Sequence, residues 1–304
     1  MNNFVTLLAN SRFITIIGMS KNAGKTTTLN FLIKSLTQAG YSLGLTSIGR
    51  DGEETDLVTN TKKPRIFVPR NTLIATTEGL LPYCDISKEI LHVSEINTPL
   101  GRVITIRALS AGYVQIAGAS VVSQMSEVTR ALELFGADKI ITDGAVSRKS
   151  PVSSELNEAV ILCTGAAFST DLNKVISETK HMADILTLPK NTKDDAIFLS
   201  GAVTDSRIDE ILRSGSEVTE ITADDPAKIF LTAKTLGILK RKGIVLSVKK
   251  PLTLTAITIN PTSPLGFSFP PDEFLCKVQE VLPVPVYDVM KINERNSHAD
   301  LNST

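Results

Sequence analysis

Read as hydrophobic and polar positions, the chain switches between two periods. "RFITIIG" is a short run of apolar, mostly β-branched residues, the pattern of a buried strand. Beyond a glycine-containing stretch, Leu29, Leu32, Ile33 and Leu36 recur at i, i+3, i+4 and i+7, which places them on one face of a helix. Gly40 stands where that helix should stop, and "YSLGLTSIG" resumes as a strand. The opening of the chain therefore predicts a β-α-β unit with parallel strands.

The alternation continues downstream. "GRVITIRALSAGYVQIAG" predicts a hairpin or bent strand, "VSQMSEVTRALELFG" a helix ending at Gly136, and "DKIITDGA" a strand. After the polar "VSRKSPVSSE" come the strand-like "AVILCTGAA" and the helical "STDLNKVISETKHMADIL". The runs "AIFLSGA", "GIVLSV", "LTAITIN" and "VPVYDVM" read as further strands, with "DSRIDEILRSG" and "DPAKIFLTAKTLGILKRKG" as intervening helices. Such repetition predicts an α/β protein with a doubly wound, mostly parallel sheet. The expected organisation is a core over 1–190 that holds the first β-α-β unit, an α/β insertion or subdomain over 191–250, a return to the core sheet over 251–290, and a flexible polar tail over 291–304. "SRKSPVSSE" suits either a linker or a loop at a strand end.

Composition narrows the class. The 304 residues are 42% hydrophobic, enough to fill a core of that size. Thirty-two basic and 32 acidic side chains cancel, so no long-range field favours nucleic acid or an anionic membrane. Cys84, Cys163 and Cys276 lack any C-x-x-C spacing, which fits a reducing compartment and small buried thiols better than disulfides or zinc. His92, His181 and His298 lie more than eighty residues apart, which argues against a histidine metal site. The start "MNNFVTLLANSRFITIIG" has no basic n-region or small-residue cleavage site, and no uncharged apolar run of about 20 residues occurs. A cytoplasmic, soluble protein is expected.

The candidate chemistry begins at "GMSKNAGKTTTL". A bound polyphosphate needs converging backbone N–H groups, a cation at the β/γ bridge and a hydroxyl for magnesium, best at a helix N-terminus where the dipole helps. The strand-to-helix stretch supplies each part. Lys21, Asn22, Ala23, Gly24 and Thr27 offer the amide-lined loop, Lys25 the cation, Thr26 the magnesium-binding hydroxyl, and Gly18 the tight turn off the strand. Asp143, at the end of "DKIITDGA", is placed to hold magnesium or its water opposite Thr26, although an Asp-Gly turn is common at any strand end. After the second strand, "IGRDGEETD" carries Asp51, Glu53, Glu54 and Asp56 with Arg50; Asp51 is the first candidate to orient a metal-bound water, against the reading of a solvated acidic loop. Arg148 and Lys149 follow the Asp143 strand and could reach a terminal phosphate or simply face solvent. Lys62, Lys63 and Arg65 read as a basic surface loop. No N-K-x-D guanine motif is present, so ATP is favoured over GTP.

Counting back from Gly24-Lys25-Thr26, the first glycine of the usual phosphate loop would fall at Met19, one place later than Gly18. The pattern G-x5-G-K-T resembles the longer loop of dethiobiotin synthetase and of the cobyrinic and cobyric acid synthases, within the P-loop proteins that include nitrogenase iron protein. In the likeness to dethiobiotin synthetase, Asn260 at the end of "LTAITIN" takes the place of an asparagine that contacts adenine. Relatives that dimerise around ATP carry a signature lysine where this chain has Ser20, with Lys21 one position out of register, so a trans-acting lysine is not expected.

A broader set of segments, "GMSKNAGKTTTLN", "GLTSIGRDGEETD", "TKKPRIFVP", "TPLGRVITIRALSAGYVQIAGAS" and "GADKIITDGAVSRKSP", resembles the reactivase subunit of lysine 5,6-aminomutase. That resemblance implies an ATP- and Mg2+-dependent helper which, with a second MutS-like ATPase subunit, restores a mutase whose adenosylcobalamin is damaged. Two other functions stay open on the residues alone: an ATP-dependent ligase acting on a small carboxylate, and a nucleotide-binding module that signals without hydrolysis.

Overall fold

The computed structural model describes residues 3–48, 65–119, 121–144, 158–214 and 217–291. Helix α1 (Asn3–Leu7) precedes β1 (Phe13–Gly18), and α2 (Lys25–Gln38) and β2 (Leu43–Ser47) complete the first β-α-β unit. Next come β3 (Ile66–Val68), β4 (Leu73–Thr77), β5 (Lys88–Thr98), β6 (Gly101–Ala108) and β7 (Gly112–Val114). Helix α3 (Val122–Leu134), β8 (Lys139–Asp143), β9 (Ala159–Gly165) and α4 (Leu172–Leu186) follow. Then come β10 (Ile197–Leu199), β11 (Val203–Thr204), α5 (Asp205–Arg213), β12 (Glu220–Ala223), β13 (Ile229–Phe230), α6 (Ala233–Arg241) and β14 (Val245–Val248). The described chain closes with β15 (Leu254–Asn260), α7 (Pro271–Val281) and β16 (Val286–Asp288).

Among the described residues the central sheet has nine strands in the order β16-β15-β9-β1-β8-β2-β4-β6-β5. It is parallel from β16 to β4, and β6 runs antiparallel to both of its neighbours. Alternation along β1 sends its residues to opposite faces. Ile14 and Ile16 pack with α1 and α2 through Phe4, Leu29, Phe31 and Leu32. Ile17 packs on the other face with Val175 of α4 and Phe274 of α7. Helix α3 covers that second face farther along, where Val128 and Leu132 meet Ile140 and Ala75. Helices on both faces of a large, mostly parallel sheet are the α/β architecture the alternating pattern predicts, compatible with double winding.

Gly40 and Gly136 terminate α2 and α3 in the same way. Each takes a positive φ, and the residue after it donates from its N–H to the carbonyl five back, Tyr41 to Leu36 and Ala137 to Leu132.

Three expectations need correction. The stretch at 101–118 is neither a hairpin nor one bent strand: β6 joins the central sheet, while β7 pairs with β3. The single helix expected over "DPAKIFLTAKTLGILKRKG" is reduced to α6, because Pro226 opens a 3-10 turn, Ile229 and Phe230 extend as β13, and Thr232 starts the helix anew by accepting from the Thr235 N–H. Cys276 is exposed, not buried, and its thiol lies 3.4 Å from a Glu280 carboxylate oxygen.

Between α4 and β15 the chain builds a smaller parallel sheet, β10-β12-β14, with its own apolar cluster around Val203, Ile208, Ile221, Leu239 and Val248. Within it Glu220 is a buried carboxylate that accepts from Ser247 Oγ at 2.5 Å and Asn191 Nδ2 at 3.2 Å. Among the described residues, no helix is long and apolar enough to cross a membrane.

Candidate functional site

Five adjacent parallel strands, β15, β9, β1, β8 and β2, end on one rim of the sheet at Asn260, Gly165, Gly18, Asp143 and Ser47. Ligands of open α/β sheets bind beyond such carboxyl ends. The loop from Gly18 to α2 rises from the middle of this rim.

The loop's backbone is set by two left-handed residues, Asn22 at φ 61° and Gly24 at φ 95°. Left-handed residues interleaved with ordinary ones turn successive N–H groups toward one side, the conformation that makes anion-binding concavities. Gly24 is the N-cap of α2 and, being glycine, caps it with no side chain, so the first-turn amides and the positive end of the helix dipole face the loop. The strand side is fastened by the Met19 N–H, which donates to the Cys163 carbonyl at 2.9 Å.

Lys25 gives the loop its cation and explains Gly18. A Cβ on residue 18 would stand 2.8 Å from Lys25 Cγ, 3.0 Å from Cδ and 3.3 Å from Nζ. The lysine chain is therefore folded back across the glycine, with its ammonium beside the end of β1. The early glycine serves this lysine, which sequence spacing alone did not reveal. Thr26 and Thr27 are half-buried in the first turn of α2, Ala23 is buried, and Lys21 is exposed on the outer side of the loop.

Asp143 lies one strand away. Its register partners are Ile16 on β1 and Ser47 on β2, and Ile141, two residues earlier, belongs to the α2 core. The buried Asp143 carboxylate thus projects from the face of the sheet that carries α2. Beneath the first turn of α2, Thr28 Oγ1 lies 2.9 Å from Thr258 Oγ1, and the Cys163 thiol bonds both hydroxyls at 3.5 and 3.1 Å. Burial pushes the Cys163 thiol up from its ordinary pKa, and the bonds from Thr258 and Thr28 draw it down; Lys25 and Asp143 then act in opposite directions. The cation and the carboxylate are thus both near enough to bear on the charge of this buried thiol.

Asn260 is placed against the loop. Its Nδ2 donates to the Asn22 carbonyl at 3.2 Å, its Oδ1 accepts from the Thr262 N–H at 3.2 Å, and its Cβ lies 3.1 Å from where a Cβ on Gly24 would be. Gly165 makes this approach possible, since a side chain there would run into the Asn260 carbonyl. Gly165 was not singled out from sequence; its signal is the glycine that closes the apolar run "AVILCTG" next to β1.

Asp51, Arg50, Glu53, Glu54, Asp56, Lys62, Lys63, Arg148 and Lys149 lie outside the described residues. Arg65 is turned to other work, its guanidinium 4.3 Å above the Tyr113 ring and its carbonyl accepting from Asn30 Nδ2. Lys25, Thr26, Asn22, Gly24, Asp143 and Asn260 are thus drawn to one rim from segments far apart in sequence. Converging amides, an ammonium and hydroxyls suit phosphate groups, and an adjacent carboxylate suits a divalent cation. No protein-family model matches the chain, and neither does any curated protein.

Proposed function

We propose that this chain is a P-loop protein that binds Mg-ATP at residues 18–27, and that it serves a cobalamin-dependent lysine 5,6-aminomutase as a reactivation factor. The single observation that carries the nucleotide reading is Lys25 folded over Gly18, at the foot of a loop with left-handed Asn22 and Gly24 and on the rim where the neighbouring strand ends in Asp143. The cradle is one that any Cβ at residue 18 would fill. In this reading Lys25 holds terminal phosphate oxygens, and Thr26 and Asp143 hold magnesium, with Asp51 as the candidate for orienting water. Magnesium supplies charge neutralisation of the phosphates. The protein's residues supply the fixed amides, the ammonium and the cation's carboxylate.

The mutase reading rests on the sequence resemblance. Its physical content is that nucleotide state biases an open–closed equilibrium in the mutase, letting damaged cofactor leave and intact adenosylcobalamin enter. Such a bias needs different affinities for the two states, which a nucleotide-dependent docking face would provide.

Thermal melting tests the nucleotide assignment. At a ligand concentration about 100 times Kd, Mg-ATP stabilises by roughly 2.7 kcal/mol, Mg-GTP by much less, and Lys25→Ala abolishes the gain. Equal stabilisation by both nucleotides refutes the base preference, and none by either refutes the site. Reactivation is tested by mixing this protein, the MutS-like ATPase partner, inactivated aminomutase, ATP and fresh adenosylcobalamin. No recovery of mutase activity over controls turns the assignment toward an ATP-dependent ligase.

A further inference from the structure

We infer that Asn260 is a positioning residue for the phosphate loop: it fixes the peptide plane between Asn22 and Ala23 and ties it to the turn that follows β15. This rests on the nucleotide-binding reading of the loop. Asn22 is one of only two non-glycine residues with positive φ among the described residues. Asparagine tolerates the left-handed region better than other side-chain-bearing residues, but the orientation of the peptide that follows it is still set by the partner its carbonyl finds. Here the determinant comes from the far end of the chain, as Asn260 Nδ2 donates to the Asn22 carbonyl across a separation of 238 residues.

The consequence follows from peptide geometry. In a planar trans peptide the carbonyl of one residue and the N–H of the next point in opposite directions. With the Asn22 carbonyl held toward Asn260, the Ala23 N–H is aimed away from it, and a flipped plane would instead present a carbonyl where an anion needs a donor. Asn260 is in turn held on three sides. Its Oδ1 accepts from the Thr262 N–H, its own carbonyl accepts from the Ala166 N–H at 2.9 Å, and its Cβ closes on Gly24. Thr262 begins a tight turn in which it bridges to Ser268 and the Ser263 N–H donates to the Phe267 carbonyl at 2.7 Å. Asn260 therefore connects two neighbouring segments of the rim, the phosphate loop and the turn at 262–268.

A base contact and a loop-holding role make different demands on a ligand that has no base. Binding of Mg-ATP and of Mg-tripolyphosphate is measured by calorimetry for the wild type, Asn260→Leu and Asn260→Ala. Leucine keeps close to the size of the side chain and removes the amide without adding a charge beside the phosphates. The apo melting temperature of each variant reports its folding. Loss of one positioning hydrogen bond is expected to weaken both ligands by the same factor, about tenfold. Weakening of ATP alone, with tripolyphosphate unchanged, overturns the inference in favour of a base contact. A lower melting temperature with both affinities intact also overturns it, since the residue would then be merely structural. If the wild type binds neither ligand, the nucleotide reading itself has failed.

Discussion

At the scale of single residues, the two glycines on the rim meet different obstacles, and this separates binding from folding. A methyl group at residue 18 would meet the flexible chain of Lys25, which can move aside. The same group at residue 165 would meet the backbone carbonyl of Asn260, which cannot. Gly18→Ala should therefore keep its stability to within about 1 kcal/mol yet lose roughly tenfold or more in Mg-ATP affinity, as the lysine is displaced. Gly165→Ala should lose about 2–3 kcal/mol of stability from overpacking. Urea unfolding and nucleotide titration of the pair decide it. If Gly18→Ala binds as well as the wild type, Lys25 does not lie over the glycine. Lys25, Thr26 and Gly24 could be read from the chain because their spacing is local, set by one strand, one turn and one helix. The hold of Asn260 on Asn22 could not: the likeness to dethiobiotin synthetase brought Asn260 to the site as an adenine contact, and nothing in the chain's periodicity says which backbone carbonyl its amide will meet.

At the scale of elements, what was legible depended on length and period. Helices α2, α3 and α4 carry 13 to 15 residues of amphipathic pattern and were foreseen, whereas α1 has only five, too short for any period to show. Neither β4 nor β5 gives a continuous apolar run: β4 ends in three polar or small residues, and β5 is an edge strand in which Glu89, His92, Glu95 and Asn97 break the apolar positions. The short α1 is held by an interaction that no propensity scale contains. The buried Lys139, at the start of β8, donates from Nζ to the carbonyls of Leu8 at 2.9 Å, Ala9 at 2.5 Å and Ser11 at 2.7 Å, just beyond the helix. Lys139→Met should destabilise the protein by about 2–4 kcal/mol, since it strands three acceptors, and should free α1 from the sheet. Burial pushes the Lys139 pKa below its ordinary value, against the pull of Glu158 and Asp138. Between the lowered folded value and the ordinary unfolded one, the unfolded chain binds more protons, so this group's contribution makes stability rise with pH through that alkaline window. The slope should vanish in Lys139→Met, as read from unfolding free energies measured at several alkaline pH values.

At the scale of the whole molecule, a large, mostly parallel sheet and a small parallel one, with separate apolar clusters, divide most of the chain. The candidate site draws its described residues from the ends of β1, β8, β9 and β15 in the larger sheet, from the loop after β1 and from the first turn of α2. The smaller sheet interrupts the chain between α4 and β15, yet Asn260, beyond the interruption, returns to the loop that follows β1. The larger sheet must therefore close around sequence from both sides of that segment, while the smaller one can open by itself. Its strands have only three or four residues each and are joined by short ladders, so local opening should require less energy there than in β1, β8 and β9. Ile221, fully buried in the small cluster, is the probe. Ile221→Ala leaves a cavity worth about 2–5 kcal/mol, which should appear as faster amide exchange across β10, β12 and β14. Protection of β1 and β9, and affinity for Mg-ATP, should be unchanged. If exchange accelerates equally in both sheets, the molecule unfolds as one cooperative unit, and the 197–248 segment is part of the scaffold that holds the loop after β1.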